Sequence, residues 1–190
     1  AFEYYFKAAK LQEEVGDNTN LAVTLNNFGG IFYNQGDIPK ALEYYHRSLK
    51  IREASGYKEG IAQSMNNLGV IYQDQEDYDR ALEYYNRSLK IQQEIGEKYG
   101  IAMSLGNIGA TYVYMKEPAR ALDFFKQSLD LQKKIEDKEG ISYSLNNMGA
   151  IYDRHGDPAC NEEPESCRVK GIETALAYYK QSLKIREEID

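Results

Sequence analysis

A chain of 190 residues with 42% hydrophobic and 28% charged side chains has the composition of a folded domain rather than a disordered tail. No stretch approaches the roughly 20-residue apolar run of a membrane-spanning helix, and the opening AFEYYFKAAK lacks the charged-then-apolar order of a secretory signal. A net charge of −7, with Lys and Arg scattered rather than clustered, argues against a nucleic-acid partner.

The opening AFEYYFKAAKL is a partial copy of a segment that returns as ALEYYHRSLKI from Ala41, ALEYYNRSLKI from Ala81, ALDFFKQSLDL from Ala121 and ALAYYKQSLKI from Ala175. Two intervals are 40 residues and the last is 54, the excess falling at residues 158–171. A second element alternates with the first: LAVTLNNFGGIF from Leu21, IAQSMNNLGVIY from Ile61, IAMSLGNIGATY from Ile101 and ISYSLNNMGAIY from Ile141. Ile61, Met65, Leu68 and Tyr72 fall at spacings of four, three and four, and Ala81, Leu82, Tyr85, Leu89 and Ile95 share a helical face likewise, so both elements are amphipathic helices.

Gly36-Asp37 and Gly156-Asp157 predict a tight turn, with glycine ending one helix and a carboxylate capping the next; Glu76-Asp77 keeps the cap without the glycine. Stretches bracketed by Gly56 and Gly60, and by Gly96 and Gly100, read as longer joints between pairs. Mid-helix Gly29, Gly69, Gly109 and Gly149 cost about 1 kcal/mol each relative to alanine, which close approach of a neighbouring helix offsets. Ala41, Ala81, Ala121 and Ala175 are expected opposite them, with the rings of Tyr45, Tyr85, Phe125 and Tyr179 filling the space one turn later. The other paired tyrosines of the second helices read as packing too.

The order Leu68-Gly69, Tyr72, Ala81 and Tyr85 resembles the tetratricopeptide repeat signature. The period is longer than the family's usual 34 residues and the proline ending the second helix is missing. In this the chain is similar to kinesin light chains, Leu-Gly-Asn-repeat adaptors and the sensory regions of bacterial signalling proteins. The resemblance implies an all-α, right-handed superhelical solenoid of antiparallel helix pairs, binding a peptide or protein in a concave groove lined by first helices. Residues 1–16 read as the second helix of a partial repeat, 17–56, 57–96 and 97–136 as repeats, and 137–190 as a repeat with an insert at 158–171. The pattern starts and stops within a repeat, which reads as an excerpt of a longer single solenoid whose terminal helices are open to homodimerisation. A cytoplasmic location is favoured, with the periplasm or exterior open if a signal precedes residue 1.

Asn27, Asn67, Asn107 and Asn147 recur without a packing reason, and Asn26, Asn66 and Asn146 form a second column that Gly106 interrupts. An amide donates and accepts, which suits either an extended peptide backbone or a bridge between neighbouring helices. The resemblance implies peptide contact for these asparagines. It also places Gln63, Met103 and Tyr143 before them in the groove, and Gln73, Asp74, Tyr114, Asp153 and Arg154 after them. Only Arg154 could serve a carboxylate clamp of the chaperone-tail-binding kind, so that function is not expected.

The insert PACNEEPESCRVKG, with Pro158, Pro164 and three glutamates, reads as a loop. Cys160 and Cys167 are expected as free thiols, with a disulfide in an oxidising compartment as the alternative; with His155 they fall short of a zinc site. No phosphate-binding glycine loop, zinc-protease helix or nucleophile elbow appears, and His46 and His155 lie in unlike settings, so neither an enzyme nor a cofactor is expected. An adaptor or scaffold and a regulatory segment of a larger signalling protein, acting through shape change or self-association, are the two functional readings.

Overall fold

The computed structural model describes residues 2–158, 160 and 163–189, with side chains from residue 6 onward. The described residues form the α-helices α1 (Phe2–Glu14), α2 (Asn18–Asn34), α3 (Ile38–Ser55), α4 (Lys58–Asp74), α5 (Tyr78–Ile95), α6 (Lys98–Tyr114), α7 (Pro118–Lys134), α8 (Lys138–His155) and α9 (Pro164–Glu187), and no strand. Their contacts make two compact units, Ala1–Ile95 and Gly96–Asp190. In the first, α2 pairs with α3 and α4 with α5, α1 lies on α2, and α3 joins the pairs through α4. In the second, α6 pairs with α7 and α8 with α9, with α7 packed on α8. Within each pair the connection reverses the chain, so the helices run antiparallel.

The glycine and ring positions pack as their recurrence predicts. A Cβ added to Gly29 would stand 2.6 Å from the Tyr45 ring, one on Gly69 2.5 Å from Tyr85, and one on Gly149 2.8 Å from Tyr179. On Gly109 it would meet Phe125 and the Ala121 carbonyl at 3.3 Å. The glycine therefore lets the ring of the second helix lie on the backbone of the first, and Ala41, Ala81, Ala121 and Ala175 are buried beside it. Phe32 stacks on Tyr44, Tyr72 on Tyr84 and Tyr112 on Phe124 in the next layer.

A buried serine ladder holds the pairs. Ser48, Ser88, Ser128 and Ser182 each donate through Oγ to a first-helix carbonyl, of Ala22 (2.7 Å), Ala62 (2.9 Å), Ala102 (2.7 Å) and Ser142 (3.0 Å). Each bond satisfies a hydroxyl that would otherwise be buried at a cost.

Asp37 and Asp77 cap α3 and α5 by accepting from the amides of Lys40 and Arg80. Gly36 before the first cap has φ 77°, and Glu76 takes the same left-handed place at φ 61°, so the second turn lacks glycine but not its strain. Four expectations need correction. The joints after Gly56 and Gly96 are short rather than long, because α4 and α6 start at Lys58 and Lys98 and take Gly60 and Gly100 into their first turns. Asp157 is not the cap of the next helix, whose N-cap is Glu163; its amide donates to the Cys167 carbonyl (3.2 Å).

The insert is a loop only as far as Glu163, since Pro164 sits in the first turn of α9, where its missing N–H is no loss. Residues 164–171 thus lengthen the second helix. Gly171 crosses Gly156 so closely that a Cβ on it would stand 2.4 Å from the Gly156 Cα. Cys160 and Cys167 are joined by a disulfide, Cα atoms 5.5 Å apart, in place of the free thiols expected. Ala159, Asn161 and Glu162 of the insert lie outside the described residues.

Candidate functional site

Burial of one side of each first helix against its partner leaves the opposite side to solvent. Val23, Gln63, Met103 and Tyr143 recur every 40 residues on that side, and all four are exposed, the three apolar ones at 44%, 38% and 47%. Singly exposed apolar side chains are ordinary on a folded chain; what distinguishes these is exposure repeated at equivalent positions. Val23 and Tyr99 escaped the sequence reading. Val23 belongs to that 40-residue series, which was the available signal for it, whereas Tyr99, 57% exposed one turn before Met103, has Thr19, Glu59 and Glu139 at its equivalent positions and so no recurrence to single it out.

The asparagine columns behave unequally. Asn27 and Asn146 are exposed, while Asn67, Asn107 and Asn147 are half-buried. Asn66 is 3% exposed and so does not present its amide at the surface. In the first unit Asn67 Nδ2 donates to Asn26 Oδ1 at 3.0 Å, a bridge between α4 and α2. In the second unit Asn147 Nδ2 turns back to the Tyr143 carbonyl of its own helix at 2.9 Å.

A single register explains the difference. Residue i of one first helix faces residue i+41 of the next: Asn26 meets Asn67, and the Tyr33 hydroxyl donates to the Asp74 carboxylate. That bond to Asp74 and partial burial push Tyr33 up to about 12. The corresponding pairs of the second unit are Gly106 with Asn147 and Val113 with Arg154, in which the earlier member has no polar side chain. The first unit therefore spends its amide and carboxylate on tying α2 to α4. The second leaves Arg154 exposed.

Of the remaining candidates, Gln73 is half-buried and Asp74 and Asp153 are exposed near the ends of their helices, with Tyr114 58% exposed at the end of α6. Burial, and after it the nearby Tyr114, push the Tyr143 phenol above its usual range. Two hollows open along the second unit: one of about 220 Å³ between α6 and α8, lined by Met103, Asn107 and Tyr143 among others, and one of about 370 Å³ lined by Tyr143, Asn146, Asn147 and Arg186. Among the described residues no group of three or more His, Cys, Asp or Glu side chains could hold a metal ion, and no helix is long and apolar enough to cross a membrane.

A family model described as tetratricopeptide repeat matches residues 1–54 and 60–134. No curated protein sequence matches significantly. Among solved structures the chain is similar to BtubC (BKLC) from P. vanneervenii, with 20% identity, a TM-score of 0.73 and coverage of 99% of this chain and 80% of that one. It is similar to the apo form of RapI, at 24% identity and TM-score 0.82, over 100% of this chain and 64% of that one. Aspartyl phosphate phosphatase F from Bacillus subtilis aligns at 13% identity and TM-score 0.84, over 99% of this chain but 46% of that one. At these identities the likeness shows the fold alone: helical repeats of the same kind.

Proposed function

The chain belongs to the tetratricopeptide repeat family, and from that premise we propose that it is a protein-interaction module, not an enzyme, which holds a peptide or protein partner on its exposed first-helix faces as an adaptor or scaffold. The observation that carries this reading is the solvent exposure of equivalent first-helix positions in each unit, Val23 and Gln63 in the first and Met103 and Tyr143 in the second. Apolar side chains recurring there gain about 25 cal/mol for each Å² that a partner covers, and neighbouring amides can pair with a peptide backbone. Asn27, Asn107 and Asn146 are the amides this reading uses; Asn67 is partly committed to its helix bridge.

The test is capture of partners from lysate by the intact chain, by a Gln63→Ala/Met103→Ala/Tyr143→Ala variant, and by a Lys90→Ala/Lys126→Ala/Lys180→Ala control on exposed second-helix positions. The first variant loses about tenfold or more of the bound partner and the control retains it. Equal capture by both would remove the first-helix faces from the account.

One observation favours a second reading, that of a regulatory segment acting through self-association. Leu176 and Leu183 on α9 are 52% and 57% exposed, whereas their counterparts on α7, Leu122 and Leu129, are 4% and 6% exposed. A second copy covering α9 would bury them. Sedimentation across a wide concentration range then shows dimers that a Leu176→Glu/Leu183→Glu variant does not form; a wild-type chain monomeric throughout excludes it.

A further inference from the structure

The second unit breaks the register of the first at Gly106, as it does at Val113. Where α2 carries Asn26, whose amide bridges to Asn67, α6 carries no side chain. Gly106 is buried, and a Cβ built on it would touch only Ser128 Oγ at 3.6 Å and Tyr143 Cε1 at 3.9 Å, both ordinary contacts. Packing therefore does not demand glycine here, as it does at Gly69. Mid-helix glycine nevertheless costs about 1 kcal/mol relative to alanine. It borders the hollow of about 220 Å³ between α6 and α8, together with Tyr99, Met103, Asn107 and Tyr143. An apolar cavity of about 150 Å³ holds a benzene ring, so this one has room for a single large side chain.

We infer that this hollow is an anchor pocket for one aliphatic or aromatic side chain of the partner, carried next to a lysine or arginine. The inference rests on the partner-holding reading above and adds to it where the energy is concentrated and what chemistry is selected. The apolar part follows from the walls: Tyr99, Met103 and Tyr143 are 57%, 38% and 47% exposed, and an inserted side chain covers all three. The cationic part follows from the rim. The charged groups lining the hollow are Asp137 and Glu139, and no Lys or Arg lines it. Lys138 beside them is turned to Glu188 at 3.2 Å. In the first unit a hollow of about 280 Å³ opens at the equivalent place, but there Thr19, Val23, Arg52 and Tyr57 replace Tyr99, Met103, Gln132 and Asp137, so it has one aromatic ring and a guanidinium in its lining and no carboxylate.

The decisive substitution is Gly106→Asn. It adds a side chain at the border of the hollow and narrows it, and the new amide faces Asn147 as Asn26 faces Asn67. Selection from a display library of random linear peptides is run on the intact wild-type chain and on G106N, and the best wild-type peptide is synthesised and titrated against both. The expected result is a wild-type consensus of one large apolar residue beside Lys or Arg, and binding to G106N weaker by about tenfold or more. The thermal midpoint of G106N stays within a few degrees of wild type. Gly106→Ala, which narrows the hollow by one methyl group, is intermediate in affinity, so a variant that merely misfolds is told apart from one whose hollow is narrowed. Equal affinity for wild type and G106N, or a consensus without the apolar and cationic pair, overturns the pocket and leaves the first-helix reading standing. Failure of the wild-type chain to enrich any peptide counts against both.

Discussion

Replacing Tyr85 with alanine lowers the stability of the fold by about 3–5 kcal/mol, read as a shift in the urea or thermal midpoint by circular dichroism. The magnitude follows from where the ring lies. Tyr85 is 1% exposed, wedged between Ala81 on its own helix and the bare backbone at Gly69 on α4. Removing the ring loses its transfer free energy and leaves a cavity that two helix backbones cannot collapse into. The complementary change, Gly69→Ala, costs about 1–3 kcal/mol despite alanine's better helix propensity, because the new methyl would stand 2.5 Å from the ring. Combined, the two changes cost less than their sum, since the methyl then enters the space the ring has left. Strict additivity would mean that ring and glycine are not in contact.

Arg52→Ala costs about 2–3 kcal/mol, whereas Arg52→Gln costs less than about 1 kcal/mol, measured in the same way. Arg52 is 3% exposed and ties α3 to α4, its guanidinium donating to the Gly60 carbonyl (2.7 Å) and to Ser64 Oγ (2.8 Å). Alanine leaves that carbonyl and hydroxyl buried without a partner. Glutamine does not, and the second unit already uses it: Gln132 stands at the equivalent place between α7 and α8 and accepts from Ser144 Oγ at 2.8 Å. A glutamine variant as unstable as the alanine one would show that charge, not hydrogen bonding, makes this joint.

The sequence is most legible where the same contact is written repeatedly. Gly69 and Tyr85 disclosed their packing because Gly29 and Tyr45, and Gly149 and Tyr179, repeat the pair at the same separation or with the insert added. Asp37 and Asp77 were legible as caps for the same reason. Where the register is interrupted the reading failed: Pro164 looked like a loop residue until the structure placed it in the first turn of α9. The serine ladder was overlooked because a helical serine reads as a solvent-facing polar residue, and only the carbonyls of Ala22 and Ala62 to which Ser48 and Ser88 donate reveal their burial. Among the asparagines, equal residues at a spacing of 40 suggested equal roles. The contacts run instead between i and i+41, which makes Asn67 a bridge and leaves Gly106 as the departure that matters. Exposure of Met103 and Tyr143 was expected from the resemblance, but the hollow between them depends on the packing of α6 against α8 and has no signature in either helix alone.

The central claim is that a partner is held on the first helices, and site-specific photo-crosslinking tests it most directly. A photoreactive side chain is placed singly at positions 63, 103 and 143 of the first helices and at positions 86 and 126 of the second, all of them solvent-exposed. The account predicts covalent adducts with a captured partner from positions 63, 103 and 143 and none above background from 86 and 126. Adducts arising mainly from 86 and 126, with the first-helix positions silent, would contradict it.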